Sequence, residues 1–263
     1  MDTWRVNFEA CARELLLARA QGTVIPPPSK RFPGFSIDDG YAVAQLLHRE
    51  VLMSGCTMVG LKLGFTNAAA WRRLGLDSPF WAPIYDRTVL ETDELSLAPF
   101  VAPRIEPEIV VGFASDLLRG ASPIEISAAI EWAAAGFEIV QCHYPEWEVT
   151  PADAIADAGL HGVLLVGERV SLDEGDAHEL ANVVVELRQG NDVVAEGRGA
   201  NALGGPAEAI AWLLRLTGIR GIRAGTIVTT GSLTPALAIA GGETWNLTPS
   251  GPVDLGHIRA TFT

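Results

Sequence analysis

The chain has 263 residues, 48% of them apolar and 19% charged, and carries a net charge of −13. That length fits one domain with a small appended subdomain, and the composition supports a large buried core and excludes global disorder. The acidic balance argues against nucleic acid or an anionic membrane as the main partner. An anionic small molecule stays open, because one bound cation inverts the local potential of a site.

The longest apolar stretches, such as Val163–Val166, are far too short to span a bilayer. The opening Met1-Asp2-Thr3-Trp4-Arg5 lacks the basic start and apolar run of a signal peptide. Cys11, Cys56 and Cys142 form no metal-spaced pair and make an odd count, which reads as reduced thiols. The expectation is a soluble, cytoplasmic protein.

In chain order, Ala10, Leu15, Leu16 and Ala18 share a helical spacing, broken by Ile25-Pro26-Pro27-Pro28. Ser36 with Asp38 and Asp39 opens a second helix carrying Tyr41, Val43, Leu46, Leu47 and Val51. Met58 to Phe65 reads as a strand with Lys62 in its middle. Beyond about residue 84 strands dominate: Ile109–Phe113, Leu160–Val166, Val183–Leu187, Ile227–Thr230 and Ile258–Phe262, with a hairpin at Gln189-Gly190-Asn191-Asp192. Ser122-Pro123-Ile124-Glu125 opens a helix expected to reach about Ala135, and Gly205-Pro206 opens one through Leu214. Strands and helices do not alternate, so the expectation is α+β rather than a doubly wound parallel sheet. A mainly helical N-terminal subdomain over 1–80 is expected to sit on a β-rich body over 81–263.

Arg104-Ile105-Glu106-Pro107-Glu108 leads into an apolar strand. Residues i and i+2 of a strand share a face, so Glu106 and Glu108 project together and repel unless a proton or cation lies between them. A solvated charged edge is the plainer alternative, and Pro107 suggests a strand start or edge. Glu138 lies inside the apolar run Gly136-Phe137-Glu138-Ile139-Val140, where an acid needs a partner: a metal, or an arginine such as Arg104. Three carboxylates without Cys or His suit a hard ion, Mg²⁺ or Mn²⁺. Lys62 stands between Gly60-Leu61 and Leu63-Gly64. Either its head reaches water past an apolar surface, or it faces a closed site where burial makes it a usable acid or base. Thr229 to Pro235 is a strand entering a Gly-Ser-Leu-Thr turn that could hold a carboxylate or be an ordinary polar turn. His48 reads as structural, whereas His161 has the more suggestive setting. No dinucleotide fingerprint and no Ser/His/Asp triad is legible.

The order of these motifs resembles the 2-oxopent-4-enoate hydratase / 4-oxalocrotonate decarboxylase branch of the fumarylacetoacetate hydrolase superfamily. It is carried by Ile25 to Ser29, Ser36 to Val43, Gly60-Leu61-Lys62-Leu63-Gly64-Phe65-Thr66, Arg104 to Ile109, Glu138-Ile139-Val140, Asp153 to Asp157 and Gly231-Ser232-Leu233-Thr234-Pro235, nearly the whole chain. The resemblance implies a small N-terminal subdomain on a β-rich fumarylacetoacetate-hydrolase-type catalytic body, usually oligomeric. It implies Mg²⁺ or Mn²⁺ on Glu106, Glu108 and Glu138, proton transfer by Lys62, and a small 2-oxo acid substrate met by Thr66, Phe80, Trp81, Asp157, Ser232 and Thr234. Two departures stand out: Phe80-Trp81 occupy the place of an expected acid, and His161 stands near an expected serine. The reaction implied first is hydration of 2-hydroxy-2,4-dienoates in the breakdown of aromatic compounds. The alternatives are a decarboxylase, an acylpyruvate C–C hydrolase with His161 as its base, or a binding homologue without turnover.

Overall fold

The computed structural model describes residues 6–173 and 175–263, so the first five residues, read above for a leader, lie outside it. Two helices form the N-terminal layer, α1 (Phe8–Gln21) and α2 (Ile37–Met53). Each begins where the sequence supplies a cap. Asn7 accepts from the Ala10 N–H, and Ser36 and Asp39 form the reciprocal capping box. Their apolar sides, Cys11, Leu15, Val43 and Leu47, pack with Val140, Cys142, Tyr144 and Ala154 in a core of their own.

The strands that frame the site are, in chain order, β1 (Met58–Gly64), β2 (Phe80–Tyr85), β3 (Val89–Leu90), β4 (Arg104–Phe113), β5 (Ile130–Val140), β6 (His161–Val166), β7 (Val184–Gln189), β8 (Asp192–Arg198), β9 (Ile227–Thr229), β10 (Thr244–Ser250) and β11 (Ile258–Phe262). The large sheet runs β2-β1-β9-β4-β5-β6-β3, and Leu237–Ala238 adds a short pairing to β4. The second sheet runs β8-β7-β10-β11 and ends on Glu94–Leu95. Only β1 with β9 and β3 with β6 pair in parallel within the large sheet, and its remaining pairs are antiparallel. The α+β expectation therefore holds. Because β1 and β2 are hydrogen-bonded into this sheet, the sheet draws on both sides of residue 80. The main core lies between the two sheets and under Pro206–Leu213, joining residues such as Ile109, Phe137, Leu187, Trp245 and Phe262. Among the described residues, no helix is long and apolar enough to cross a membrane.

Two local expectations are corrected. The helix opened by Ser122 stops at Ala129, and Ile130 to Val140 is a strand although Ala133 to Ala135 favour helix by propensity. Small residues are needed there because β5 is buried on both faces. A Cβ at Gly136 would meet Val110 Cγ2 at 2.5 Å, and Trp132 lies over Gly112 at a place where a Cβ would be 2.1 Å from its ring. Pairing with β4 along almost the whole strand outweighs propensity. Pro107 lies inside β4, not at its start or at a sheet edge. It sits in the gap between the pairings of β4 with β9 and with Leu237–Ala238, where a loop donates the Leu233 N–H to its carbonyl at 2.9 Å. A residue without an N–H fits such a gap.

Candidate metal centre

The β4–β5 register builds the site. Glu106 faces Glu138 and Glu108 faces Gly136, so the three carboxylates converge on one face of the sheet. One oxygen of each lies within 4.8 Å of the others, and no other such group occurs among the described residues. Glu108 and Glu138 are buried and Glu106 is half-buried.

Two cationic or donor groups reach this cluster from neighbouring strands. Lys62 in β1 is 2% exposed, and its Nζ is 2.8 Å from Glu138 Oε1 and donates to the Gly159 carbonyl at 3.0 Å. That carbonyl belongs to a left-handed turn, with φ of 50°, 65° and 61° at Ala158, Gly159 and Leu160. His161, the first residue of β6, places Nδ1 2.8 Å from the same Glu138 Oε1 and Nε2 2.9 Å from Thr88 Oγ1. On the other side the Gly231 N–H donates to Glu108 Oε2 at 2.7 Å.

The remaining oxygens of the two buried acids, Glu108 Oε1 and Glu138 Oε2, have no hydrogen-bond partner. Buried carboxylate oxygens without donors are costly, so each invites a cation. An all-oxygen donor set of three carboxylates suits a hard divalent ion, and the residues present fit one.

The charges agree. Burial opposes the ionisation of Glu138, but the Lys62 ammonium and the His161 bond outweigh it and hold the carboxyl below its usual range. Burial also opposes the charge of Lys62, yet Glu138 and then Glu106 prevail and its pKa is raised. Glu106 is pushed up to about 7, first by burial, with Lys62 pulling down and Glu138 pushing further up. Burial, then Glu138 and Glu106, raise Glu108 well above the carboxylate range. Metal-free, the cluster keeps protons that a cation would displace.

The structure sorts the other residues read from the sequence. Phe80 lies on the Lys62 face, its ring centre 6.0 Å from Nζ and edge-on to Phe65. Trp81, one residue on, turns to the opposite face, donates to the Thr217 carbonyl and packs on Gly218, so it is not brought to the site. Thr66 is buried against Gly231 and therefore beside the Glu108 end. Ser232 and Thr234 bond within their own loop, to the carbonyls of Thr234 and Pro235. Asp157 is held by Arg19 Nε and His143 Nδ1, both at 2.8 Å, which ties α1 to the back of the site. His161 has both ring nitrogens hydrogen-bonded, Nδ1 to Glu138 and Nε2 to Thr88, and it borders a cavity between the helices and the sheet. Arg104 does not pair with the glutamates and stacks on Trp147 instead, 4.1 Å from the ring centre. His48 bonds to the Tyr85 hydroxyl through Nδ1 and borders the same cavity.

Sequence reasoning missed Thr88, Arg19 and Gly159. An arginine in the last turn of α1 was visible, but its partners lie 138 and 142 residues away. A cavity of about 140 Å³ lies between α1, α2 and the sheet, bordered by Leu16, Leu47, Pro83, Thr88 and His161 and by none of the three glutamates.

A strand-borne triad of carboxylates with a buried lysine at its back, on a mixed-sheet body, is a group that could hold a divalent metal. Residues 82–263 match the family model described as "Fumarylacetoacetate (FAA) hydrolase C-terminal", and the chain belongs to the fumarylacetoacetate hydrolase family. It is 30% identical to 2-keto-4-pentenoate hydratase 1 of Dechloromonas aromatica over 98% of this chain and 97% of that one. It is equally 30% identical to the TodF product hydratase of Pseudomonas putida, over 100% and 98%. Among solved structures, 4-oxalocrotonate decarboxylase from Pseudomonas putida G7, complexed with magnesium and adipate, superposes with a TM-score of 0.90 at 27% identity, covering 97% of each chain. The resemblance read from the ordered motifs is thus borne out, in the branch expected.

Proposed function

We propose that the protein is a hydro-lyase that adds water to 2-hydroxy-2,4-dienoates and yields 4-hydroxy-2-oxo acids, a step in the catabolism of aromatic compounds. The observation that carries the reading is the pair of unpartnered carboxylate oxygens in Glu108 and Glu138, beside a buried lysine, in a chain that aligns end to end with hydratases. Glu106, Glu108 and Glu138 would hold Mg²⁺ or Mn²⁺. When bound, that ion supplies Lewis acidity and a template for the substrate's 1-carboxylate and 2-oxo oxygen.

The chain's own groups do the rest. Lys62 Nζ is the proton carrier: it gives a proton to the terminal carbon of the dienol and takes the proton of the 2-hydroxyl, which leaves a 2-oxo-3-enoate. Water then adds across the remaining double bond, its oxygen at C4 and its proton at C3. Thr66 lies beside Gly231 at the Glu108 end, and with Ser232 and Thr234 it would orient substrate oxygens. Phe65 and Phe80 exclude water beside Lys62.

Decarboxylation is the second reading, favoured by the solved decarboxylase neighbour. Its substrate carries a second carboxylate, and the rings of Phe65 and Phe80 offer no donor for one, so hydration is preferred. Acylpyruvate hydrolysis would need His161 as a base, and its nitrogens are occupied. With this chemistry go a small 2-oxo acid as ligand, a cytoplasmic location and a homo-oligomer.

The test is ultraviolet spectroscopy with 2-hydroxypenta-2,4-dienoate, with Mg²⁺ or Mn²⁺ and then with chelator. Metal-dependent loss of the dienol absorbance with 4-hydroxy-2-oxopentanoate as product is the expected result. No loss, together with CO₂ release from a 2-oxo-enedioate, would replace hydration by decarboxylation.

A further inference from the structure

We propose that His161, backed by Thr88, is a positioning residue that fixes the rotation of Glu138 so that Oε2 alone is presented to the cation. The inference rests on the metal-centre reading above. Three observations carry it.

The first is how the acceptor sites on Glu138 are used. A carboxylate oxygen has two lone-pair directions, and Oε1 receives both Lys62 Nζ and His161 Nδ1 at 2.8 Å. Oε2 receives nothing and is buried. A half turn only exchanges two equivalent oxygens, but any smaller rotation would stretch both of these hydrogen bonds at once. A carboxylate only accepts, so Nδ1 must carry a proton, and the ring's tautomer follows from its partner.

The second is rigidity. A lysine ammonium is a rotating point charge on a flexible stem, so Lys62 alone neutralises Glu138 without setting its angle. His161 is held in place on its main chain as well as its ring. It pairs with Val140 in the β5–β6 ladder, and its carbonyl accepts from Arg19 Nη1 at 3.0 Å.

The third is what lies behind the ring. The cavity of about 140 Å³ borders both His161 and Thr88, so packing does not wedge the imidazole on that side. Its orientation there depends on the Thr88 hydroxyl, which donates its one proton to Nε2 and accepts from the Tyr85 N–H at 3.3 Å.

The experiment is a Mn²⁺ titration of the full-length protein, following the loss of the free-ion electron paramagnetic resonance signal, with folding checked by melting curves. His161→Leu keeps most of the volume and removes the donor. His161→Asn loses volume but keeps an N–H at the place of Nδ1. The expected result is a roughly 10–100-fold weaker Mn²⁺ affinity for His161→Leu and near-native affinity for His161→Asn. The reverse order would show that the ring only fills space, and would overturn the proposal. Thr88→Val leaves His161 in place and is expected to weaken binding a few-fold, roughly, with a broadened bound-ion spectrum. Should His161→Leu fail to fold, native affinity and spectrum in Thr88→Val would sink the idea. If the unaltered protein takes up no Mn²⁺, the metal centre itself fails, a result distinct from equal binding by all variants.

Discussion

Glu106 and Glu138 stand directly opposite each other across the β4–β5 ladder, two carboxylates in a position where like charges repel. Lys62 acts on both but forms its ion pair with Glu138, and burial already pushes Glu106 up to about 7. Without a cation between them, the two carboxylates oppose each other at a cost in stability. Replacing Glu106 by Gln should relieve it. The expected outcome is a melting temperature in chelator raised by about 2–4 °C, for a gain of about 1 kcal/mol in a chain of this size. The unaltered protein should gain on the order of 5 °C when Mg²⁺ or Mn²⁺ is present at about a hundred times its dissociation constant, and Glu106→Gln should gain almost none. Equal metal-dependent gains in the two proteins would remove Glu106 from the site.

Lys62 poses the opposite case. It is the buried counter-charge of Glu138, and deleting one member of such a pair costs about 3–5 kcal/mol because the other is left unpaired. Lys62→Met keeps the length of the side chain and removes its charge. Melting in chelator should drop, and added metal should restore more stability than in the unaltered protein, since the cation then compensates Glu138. Turnover of the dienoate should fall by roughly 10²–10⁴-fold, the usual worth of a positioned proton donor. Near-native turnover in Lys62→Met would show that the proton travels by another route.

The sequence made the carboxylate cluster and its lysine legible because each carried a local anomaly: i and i+2 glutamates on one strand, a glutamate inside an apolar strand, a lysine between leucines and glycines. The helix caps at Ser36 and Ser122 were legible for the same reason, since a capping box lies within four residues. What was not legible is long-range. Thr88, Glu138 and His161 meet only because β6 lies beside β5, and no spacing in the chain encodes that. The parity of Phe80 and Trp81 was also open. Adjacent strand residues face opposite ways, and the register of β2 on β1 decides that Phe80 faces the site. The alanine run at Ala133 to Ala135 misled because its small side chains serve close sheet packing, a demand that helix propensity does not register.

Gly231 offers a sharper test of the Glu108 end. Its φ of 115° is hard for other residues, and a Cβ there would lie 2.2 Å from Thr66 Oγ1 while its N–H caps Glu108. Gly225 provides the control, with φ at 79° and nothing within 4 Å of the added Cβ. Gly225→Ala should cost only the backbone term, about 1–2 kcal/mol. Gly231→Ala should lose more stability and also weaken Mn²⁺ binding, because Thr66 and the loop must shift and Glu108 loses its donor. Indistinguishable melting and metal affinity in the two variants would mean that the Gly231 contact does not position Glu108.

The pH dependence follows from the direction of the same shifts. Glu106 has its pKa raised from 4.5 to about 7, so between those values the metal-free native state keeps a proton that the unfolded chain has released. Its contribution to stability is therefore fully present below the lower value and is lost as pH rises through the higher one. Glu108 is raised as well and acts in the same direction. A cation needs these carboxylates ionised, so its affinity increases as the protons leave. Melting curves between about pH 5.5 and about pH 8.5, in chelator and in excess Mg²⁺ or Mn²⁺, should show the metal-dependent gain growing as pH rises through about 7. In Glu106→Gln the chelator curve should lose part of its decline over this window. A metal-dependent gain that is flat across the range would mean that the carboxylates are already ionised at the acid end, and that the repulsion across the ladder is answered by Lys62 alone.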